Sequence, residues 1–225
     1  MVQIKLLAID IDGTLLTSKW ELTKENSKAL AAAHDLGVKI VLVTGRRLYT
    51  AKLISKKLPF PVTLIASNGA IISTSEGKIP YRNFLPCNSA REVIHETPEK
   101  HGYIVALFEK EGKGQLVMEE RILTDGPASA YLTRYPGHLE LVPSLKTALN
   151  TNLIQLSFVG PVNQIMPTFK KLIKNPVSKR IHISKTDYSE RDLLLVDILN
   201  YECNKGSGLA FWADHANIKP SEIMA

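Results

Sequence analysis

The chain has 225 residues, of which 44% are hydrophobic and 22% are charged, a composition that is ordinary for a globular protein. Its formal net charge is +6, but the basic residues are scattered and are not interleaved with aromatic residues, so we expect no nucleic-acid partner. No run approaches the roughly 18 apolar residues of a membrane-spanning helix, and the distant Cys87 and Cys203 match no metal-ligand spacing, so we expect a reduced, cytoplasmic protein without a membrane partner.

The first third of the chain alternates strands with helices. Apolar runs predict buried strands at 4–9, 38–43 and 62–66. Thr23 as an N-cap and Gly37 as a stop signal bound a first helix, and prolines end a second helix near residue 58. Strands that are apolar throughout and separated by helices predict an α/β domain with a parallel sheet, which binds ligands at the carboxyl ends of its strands.

From about Arg82 the strands become shorter and more alternating, and the turns become richer in glycine and proline. Strands are predicted at 103–108, 115–118, 153–159, 181–184 and 193–199, with a helix over 162–174. This pattern predicts an α+β module with an antiparallel sheet. After this module, a helix is predicted to begin at Asn204 and to end at about Asp214. Residues 218–225 predict a loop that leads into a new strand.

Two carboxylates follow the first predicted strand. Asp10 and Asp12 are two residues apart, and strand alternation places residues i and i+2 on the same side. Two like charges at this separation are costly unless a cation or a shared proton lies between them. The pair indicates a hard-cation site in which one carboxylate is available as a nucleophile. The alternative is structural, because Asp12-Gly13-Thr14 also resembles an ordinary strand exit.

Two further groups are predicted at the same edge of the sheet. Thr44 supplies a hydroxyl beside Gly45, whose unhindered backbone lets an anion approach. Lys205 supplies a cation at a helix N-terminus, where backbone N–H groups also favour anions. A carboxylate pair, a hydroxyl and a lysine are the groups that phosphoryl transfer through an aspartyl phosphate uses. Taken singly, Thr44-Gly45 is compatible with an ordinary helix entry, and Lys205 with a solvated surface lysine.

Together these motifs resemble the haloacid dehalogenase superfamily of phosphatases, specifically its Cof-type branch, which has a large C2 cap inserted after the third strand. The matching segments are Asp10-Ile11-Asp12-Gly13-Thr14, Thr44-Gly45-Arg46, Ser67-Asn68-Gly69-Ala70 and Asn204-Lys205-Gly206. The resemblance implies a Rossmann-like core with a parallel sheet, formed by residues 1–81 and 199–225. It also implies an inserted α+β cap domain with an antiparallel sheet over residues 82–198.

The resemblance implies a role for each matched residue. Asp10 is expected to be the nucleophile and a Mg²⁺ ligand, and Asp12 the general acid/base, with its backbone carbonyl as a second Mg²⁺ ligand. Thr44 and Lys205 are expected to bind the phosphoryl oxygens, and Arg46 to reach the substrate or the cap. The expected substrate-binding residues are Gly13, Thr14, Gly45, Arg46, Asn68 and Gly69.

One motif of the family is absent. The fourth motif, Gly-Asp-x-x-Asn-Asp, supplies the remaining Mg²⁺ carboxylates and is expected just after a strand that would begin where Ile223-Met224-Ala225 ends. Other aspartates lack its spacing, namely Asp187, Asp192, Asp197 and Asp214. Without that strand, a sheet core of three parallel strands is expected, with the strand of Asp10 at an exposed edge that is prone to association. We therefore expect a truncated form, or a fragment that another chain completes.

The leading functional expectation is a Mg²⁺-dependent phosphomonoesterase that acts on a small phosphorylated metabolite, such as a sugar phosphate, through an aspartyl phosphate. A phosphosugar mutase or phosphotransferase of the same branch is an alternative that the motifs leave open. A catalytically impaired form that binds phosphate or a partner is a second alternative, because the fourth motif is absent. A receiver domain fits less well, since its phosphoacceptor lies on a different strand from its acidic pair.

Overall fold

The structure is a computed structural model that describes residues 3–97, 102–120 and 126–225. Its strands are β1 Leu6–Asp10, β2 Lys39–Val43, β3 Thr63–Ala66, β4 Ile71–Ser73, β5 Tyr81–Arg82, β6 Tyr103–Phe108, β7 Leu116–Glu119, β8 Leu139–Val142, β9 Leu153–Gly160, β10 Ile181–Tyr188, β11 Leu193–Asn200 and β12 Ile223–Met224. Its α-helices are α1 Lys24–Asp35, α2 Leu48–Ser55, α3 Cys87–Glu96, α4 Pro127–Thr133, α5 Leu145–Ala148, α6 Val162–Leu172 and α7 Lys205–His215.

The chain divides into two compact units. Unit 1 comprises Met1–Asn83 with Cys203–Ala225, and unit 2 comprises Phe84–Glu202. Each unit has its own sheet and its own hydrophobic clusters. A largely parallel sheet in unit 1 and a mostly antiparallel sheet in unit 2 confirm the predicted fold class. Among the described residues, no helix is both long and apolar enough to cross a membrane.

The unit 1 sheet has the strand order β12-β1-β2-β3-β4-β5. Its first four strands are parallel, and β4 and β5 add an antiparallel extension. Apolar residues of α1 and α2 pack on one face of the sheet, and Trp212 of α7 packs on the other. Both faces are therefore covered, as the apolar strands predict. The sequence patterns did not predict β4 and β5, because strands of 3 and 2 residues carry too short a pattern.

The expectation that β1 lies at the exposed edge of three parallel strands is wrong for the first half of β1. Ile223 and Met224 pair in parallel with Leu6 and Leu7, because the Ile223 side chain packs on the apolar cluster beneath α7. Within the described chain, Ala8 to Asp10 have a paired strand on the β2 side alone. The carboxyl end of β1 is thus bordered by one strand, and its beginning by two.

Two predicted helix starts are fixed by side-chain caps. The Thr23 hydroxyl accepts a hydrogen bond from the Asn26 N–H at 3.1 Å and caps α1. At α7, the Asn204 side chain accepts from the Ser207 N–H at 2.9 Å, and the Ser207 hydroxyl accepts from the Asn204 N–H at 3.0 Å. Such a reciprocal capping box satisfies N–H groups that the first helical turn leaves unpaired. It fixes the position at which Lys205 enters α7.

The unit 2 sheet has the strand order β10-β11-β9-β6-β7-β8, in which neighbours are antiparallel except for β7 and β8. Buried residues of α3 and α6 pack on one face, in a cluster with Leu156 and Phe158 of β9. Ala128 and Leu132 of α4 pack on the opposite face, in a second cluster that includes Val159. The alternation of β9 thus sends neighbouring side chains to different hydrophobic clusters.

Candidate active site

In the segment after β1, the apolar side chains are buried and the polar ones are partly or fully exposed. The Leu15 N–H donates to the Asp10 carbonyl at 3.1 Å, and the side chains of Ile11 and Leu15 are buried in the cluster beneath α1 and α2. Gly13 has a φ of +77°, which glycine adopts without strain, and both Gly13 and Thr14 are exposed. The loop therefore folds back on itself while Asp12 is left half-buried at its turn.

Asp10 and Lys205 form an ion pair at the carboxyl end of β1. The Lys205 Nζ lies 2.8 Å from Asp10 Oδ1, and the two side chains are 43% and 38% exposed. An ion pair with this exposure contributes little to stability. Among the described residues, Asp10 Oδ2 has no hydrogen-bond donor, and the exposure of the side chain leaves the carboxylate open to a ligand.

Asp12 is held by Arg46 through both of its carboxylate oxygens. Arg46 Nε donates to Oδ2 at 2.8 Å, and a terminal guanidinium nitrogen donates to Oδ1 at 2.6 Å. The guanidinium also stacks on the Trp20 ring, with 4.6 Å from its carbon to the ring centroid. The resemblance placed Arg46 at the substrate or the cap, whereas in the structure its guanidinium holds Asp12. Each of the two carboxylates is thus bound to its own protein cation.

Thr44 and Gly45 bring the end of β2 against the turn Ser67–Gly69. The fully buried Thr44 hydroxyl accepts from the Arg46 N–H at 3.0 Å, and the Asn68 N–H donates to the Thr44 carbonyl at 3.0 Å. A Cβ atom at Gly45 would lie 2.9 Å from the Asn68 Oδ1, closer than real Cβ contacts occur. Glycine at this position allows the Asn68 side chain to approach the backbone.

The turn Ser67–Gly69 positions the N-terminus of α7. Ser67, Asn68 and Gly69 all have positive φ angles, of 50°, 54° and 100°. A Cβ atom on Gly69 would lie 2.1 Å from the Asn204 carbonyl oxygen. This contact explains why glycine stands at Gly69 and how Lys205 is brought towards Asp10.

The sequence patterns assigned no role to Ser67, which lies in this region. Its hydroxyl is fully buried and has no hydrogen-bond partner among the described residues. Its place in Ser67-Asn68-Gly69-Ala70 was visible in the sequence, but a positive φ angle at a serine leaves no sequence signal.

Cys203 is excluded as a nucleophile. It precedes the cap of α7, is fully buried, and its thiol lies 3.8 Å from the Asn68 carbonyl oxygen. Burial raises the pKa of the Cys203 thiol to about 12, so the thiol stays protonated at neutral pH. Cys203 therefore lacks the thiolate that nucleophilic chemistry requires.

The donor set at this edge suits a hard cation. Within residues 3–97, 102–120 and 126–225, no group of three or more His, Cys, Asp or Glu side chains could hold a metal ion. The Asp10 carboxylate offers a cation the oxygen that Lys205 leaves unused, whereas both carboxylate oxygens of Asp12 accept from Arg46. Mg²⁺ prefers such oxygens and usually keeps several waters. The residues present therefore fit a hydrated hard cation bound by few protein ligands.

Comparisons with known proteins agree with these motifs. Residues 7–225 match a family of haloacid dehalogenase-like hydrolases. The chain is 26% identical over 221 residues to the HMP-PP phosphatase of Enterobacter sp. strain 638, a match that covers 98% of this chain and 76% of that protein. It is 42% identical over 84 residues to the 5-amino-6-(5-phospho-D-ribitylamino)uracil phosphatase YcsE of Bacillus subtilis strain 168.

The match to YcsE covers 37% of this chain and 34% of that phosphatase, so it spans about a third of the relative. Among solved structures, a haloacid dehalogenase-like hydrolase from Bacteroides thetaiotaomicron has a TM-score of 0.78 at 19% identity. That alignment covers 98% of this chain and 80% of the other. The structural similarity establishes a shared fold.

Proposed function

Because the chain belongs to the haloacid dehalogenase-like hydrolase family, we propose that it hydrolyses a small phosphomonoester through a phosphoryl group carried transiently on Asp10. The match over residues 7–225 confirms the family that the motifs predicted, and the similarity to HMP-PP phosphatase supports the Cof-type branch. The observation that carries the proposal is the 2.8 Å contact of Lys205 Nζ with Asp10 Oδ1. It places a cation that can bind phosphate beside an accessible carboxylate at the carboxyl end of a parallel strand.

In the first step of the proposed reaction, Asp10 Oδ2 attacks phosphorus, and the bond from phosphorus to the leaving oxygen breaks. Asp12 gives a proton to that oxygen, while the Lys205 ammonium stabilises the charge on the phosphoryl oxygens. The proposed contribution of the Thr44 hydroxyl requires that the site opens around this fully buried side chain. In the second step Asp12 takes a proton from water, which attacks phosphorus and releases inorganic phosphate. Asp10 is regenerated, and the protons balance over the two steps.

The hydrogen bonds from Arg46 to Asp12 restrict when Asp12 can transfer a proton. Both oxygens of Asp12 accept hydrogen bonds from Arg46. Before the first step, one of these bonds must therefore open and Asp12 must take up a proton, which it then gives to the leaving oxygen. Arg46 acts in this account as a positioning residue for Asp12, with the Trp20 ring supporting the guanidinium from its face.

Mg²⁺ is the proposed cofactor, and Asp10 and Asp12 would hold it. The partly exposed Asp10 carboxylate supports the proposal, since carboxylate oxygens are the ligands of hard cations. Asp12 would contribute its backbone carbonyl oxygen, because Arg46 binds its carboxylate. When bound, the ion neutralises charge on the phosphoryl group. The proposed substrate is a small phosphorylated metabolite such as a sugar phosphate.

The test is phosphate release by the purified chain from p-nitrophenyl phosphate and from a panel of sugar phosphates, first with EDTA and then with excess Mg²⁺. We expect release that EDTA abolishes and Mg²⁺ restores. Product analysis on a phosphosugar separates the alternatives, because a hydrolase yields inorganic phosphate and a mutase yields a rearranged phosphosugar. No release from any substrate at saturating Mg²⁺ would contradict the proposal.

A further inference from the structure

A cavity opens beside the edge strand of the unit 2 sheet. Its volume is about 240 Å³, and it is lined by the neighbouring strands β6, β7 and β8, by the turn between β6 and β7, and by α5 with the segment that follows it. All of these residues belong to unit 2. Pockets for drug-sized ligands measure roughly 300–1,000 Å³, so a cavity of this size suits a smaller molecule.

The floor of the cavity is apolar. Phe108 and Val117 line it and are buried in the hydrophobic cluster that also contains residues of α3 and α6. Val142 and Ala148 line it as well, and they pack against the same cluster while remaining partly exposed. An aliphatic group in the cavity would remove the exposed parts of these side chains from water, which is favourable. The floor therefore favours a ligand with an aliphatic part.

Glu140 brings an unpaired carboxylate to this apolar floor. It lies opposite Val117 in the pairing of β7 with β8, and strand alternation places it on the same face as Val142. Among the described residues, the Glu140 carboxylate has no hydrogen-bond donor and no ion-pair partner, whereas Glu109, which also lines the cavity, already has an interaction. A partly buried charge is stabilised when an opposite charge reaches it. Glu140 is thus available to a ligand cation.

Lys110 supplies the opposite charge at the same place. A Cβ atom at Gly114 would lie 2.5 Å from Glu140 Oε2 and 2.8 Å from Lys110 Nζ, so both charged groups converge on this glycine. They form no ion pair with each other, and the Lys110 ammonium has no other partner within the described part of the chain. The Asn150 side chain also lines the cavity. Its Oδ1 accepts from the Asn152 N–H at 3.0 Å, and its amide N–H groups are left to donate.

We propose that this cavity binds a free α-amino acid with an aliphatic side chain. The ligand ammonium pairs with Glu140, the ligand carboxylate pairs with Lys110 and accepts from the Asn150 amide, and the ligand side chain packs on the apolar floor. A simple anion would leave Glu140 unpaired and a simple cation would leave Lys110 unpaired, whereas a zwitterion neutralises both. Because the two charged groups converge on Gly114, the charges of the ligand must also be close together. In an α-amino acid they are attached to one carbon.

The inference does not rest on the proposed hydrolysis, so its test measures binding alone. L-leucine is titrated into the full chain, and its binding is followed by calorimetry. Each of three analogues removes one feature of the ligand, since isocaproate lacks the ammonium, isoamylamine lacks the carboxylate and glycine lacks the side chain. Glu140→Gln and Lys110→Met remove the charges of the site. The matched controls, Glu111→Gln and Lys113→Met, change exposed residues of the turn between β6 and β7 that do not line the cavity.

We expect L-leucine to bind the wild-type chain more tightly than each of the analogues does. Glu140→Gln and Lys110→Met should each weaken L-leucine binding about fivefold or more, because each removes a charged hydrogen bond at a partly exposed site. The control variants should bind L-leucine as wild type does. Both substituted side chains are at least partly exposed, so the variants should fold. If one does not, the other variant and its control make the comparison.

Absence of L-leucine binding to wild type would overturn the inference, and would leave Glu140 as a charge on the edge strand that opposes pairing with other chains. Isoamylamine or isocaproate that binds as tightly as L-leucine would contradict a site for a zwitterion. Equal affinities for L-leucine in wild type and in the two charge variants would also overturn the inference, because the amino acid would then bind elsewhere on the chain.

Discussion

The Lys205 ammonium lies 2.8 Å from the Asp10 carboxylate, although the two residues are 195 positions apart in the chain. The contact depends on the turn Ser67–Gly69, against which the start of α7 packs closely enough to exclude any side chain at Gly69. A loop after β3 therefore determines where the lysine meets the end of β1.

Lys205→Ala should slow turnover through loss of one stabilising donor at the transition state, which typically costs about 2.7–4 kcal/mol. Vanadate, which resembles the transferred phosphoryl group, should also inhibit the variant less strongly. Lys57→Ala is the control, because Lys57 is an exposed lysine of the same unit. Inhibition constants for vanadate and kcat on p-nitrophenyl phosphate provide the measurement. Unchanged values for Lys205→Ala would remove this residue from the site.

Asp12→Asn should lower kcat by roughly 10²–10⁴, the usual contribution of a positioned acid/base. The loss should be larger for an alkyl phosphate than for p-nitrophenyl phosphate, because p-nitrophenolate leaves readily without a proton. The asparagine keeps one oxygen to accept from Arg46, so thermal unfolding should change little. Equal losses on both substrates would argue that Asp12 does not protonate the leaving oxygen.

Gly69→Ala should destabilise unit 1 by more than the roughly 0.5–3 kcal/mol of a typical substitution, and should lower kcat as well. The added Cβ atom meets the Asn204 carbonyl oxygen at 2.1 Å, so the start of α7 must move and take Lys205 with it. Gly77→Ala is the matched control. It also has a positive φ, of +82°, but open space around its Cβ position, so only about 1–2 kcal/mol of backbone strain is expected. Chemical denaturation measures the free energy of unfolding of both variants. Similar losses of stability in the two would contradict the close approach of Gly69 to the Asn204 carbonyl oxygen.

The sequence predicted those features that depend on local patterns. Apolar runs predicted β1, β2 and β3, and Thr23 and Asn204 identified the starts of α1 and α7 that the structure confirms. It did not predict that Arg46 would bind Asp12 across 34 positions. That pairing depends on the tertiary approach of two loops and on a long side chain with many rotamers, which no local pattern specifies.

The difference between local patterns and tertiary contacts also explains why the pairing of β12 with β1 was not predicted. Ile223 and Met224 are too few to show a strand period, so the sequence predicted over residues 218–225 a loop that leads into a new strand, without its pairing. The pairing with β1 is formed by backbone hydrogen bonds and by the packing of Ile223 against Trp212 and its neighbours. Both are tertiary effects.

Stability should fall on the alkaline side through Cys203. The folded thiol has its pKa raised to about 12 from 9.0, so between these values the unfolded chain loses a proton that the folded chain keeps. The resulting stabilisation is fully present below about pH 9.0 and declines as the pH rises towards 12. Cys203→Ala should flatten this part of the pH dependence of unfolding, measured by chemical denaturation of wild type and variant from neutral to alkaline pH. A variant with the same slope as wild type would show that Cys203 is not protected by burial.

Asp10→Asn provides the most direct test of the account. The amide is a poor nucleophile and also removes a charged metal ligand, whereas the partly exposed Lys205 tolerates the loss of its partner. The measurement is the rate of phosphate release from p-nitrophenyl phosphate at saturating Mg²⁺, for wild type and for a variant whose circular dichroism shows it to be folded. We expect wild type to release phosphate and release by the variant to fall to background. A folded Asp10→Asn chain that retains the wild-type rate would contradict the proposed role of Asp10 as the nucleophile.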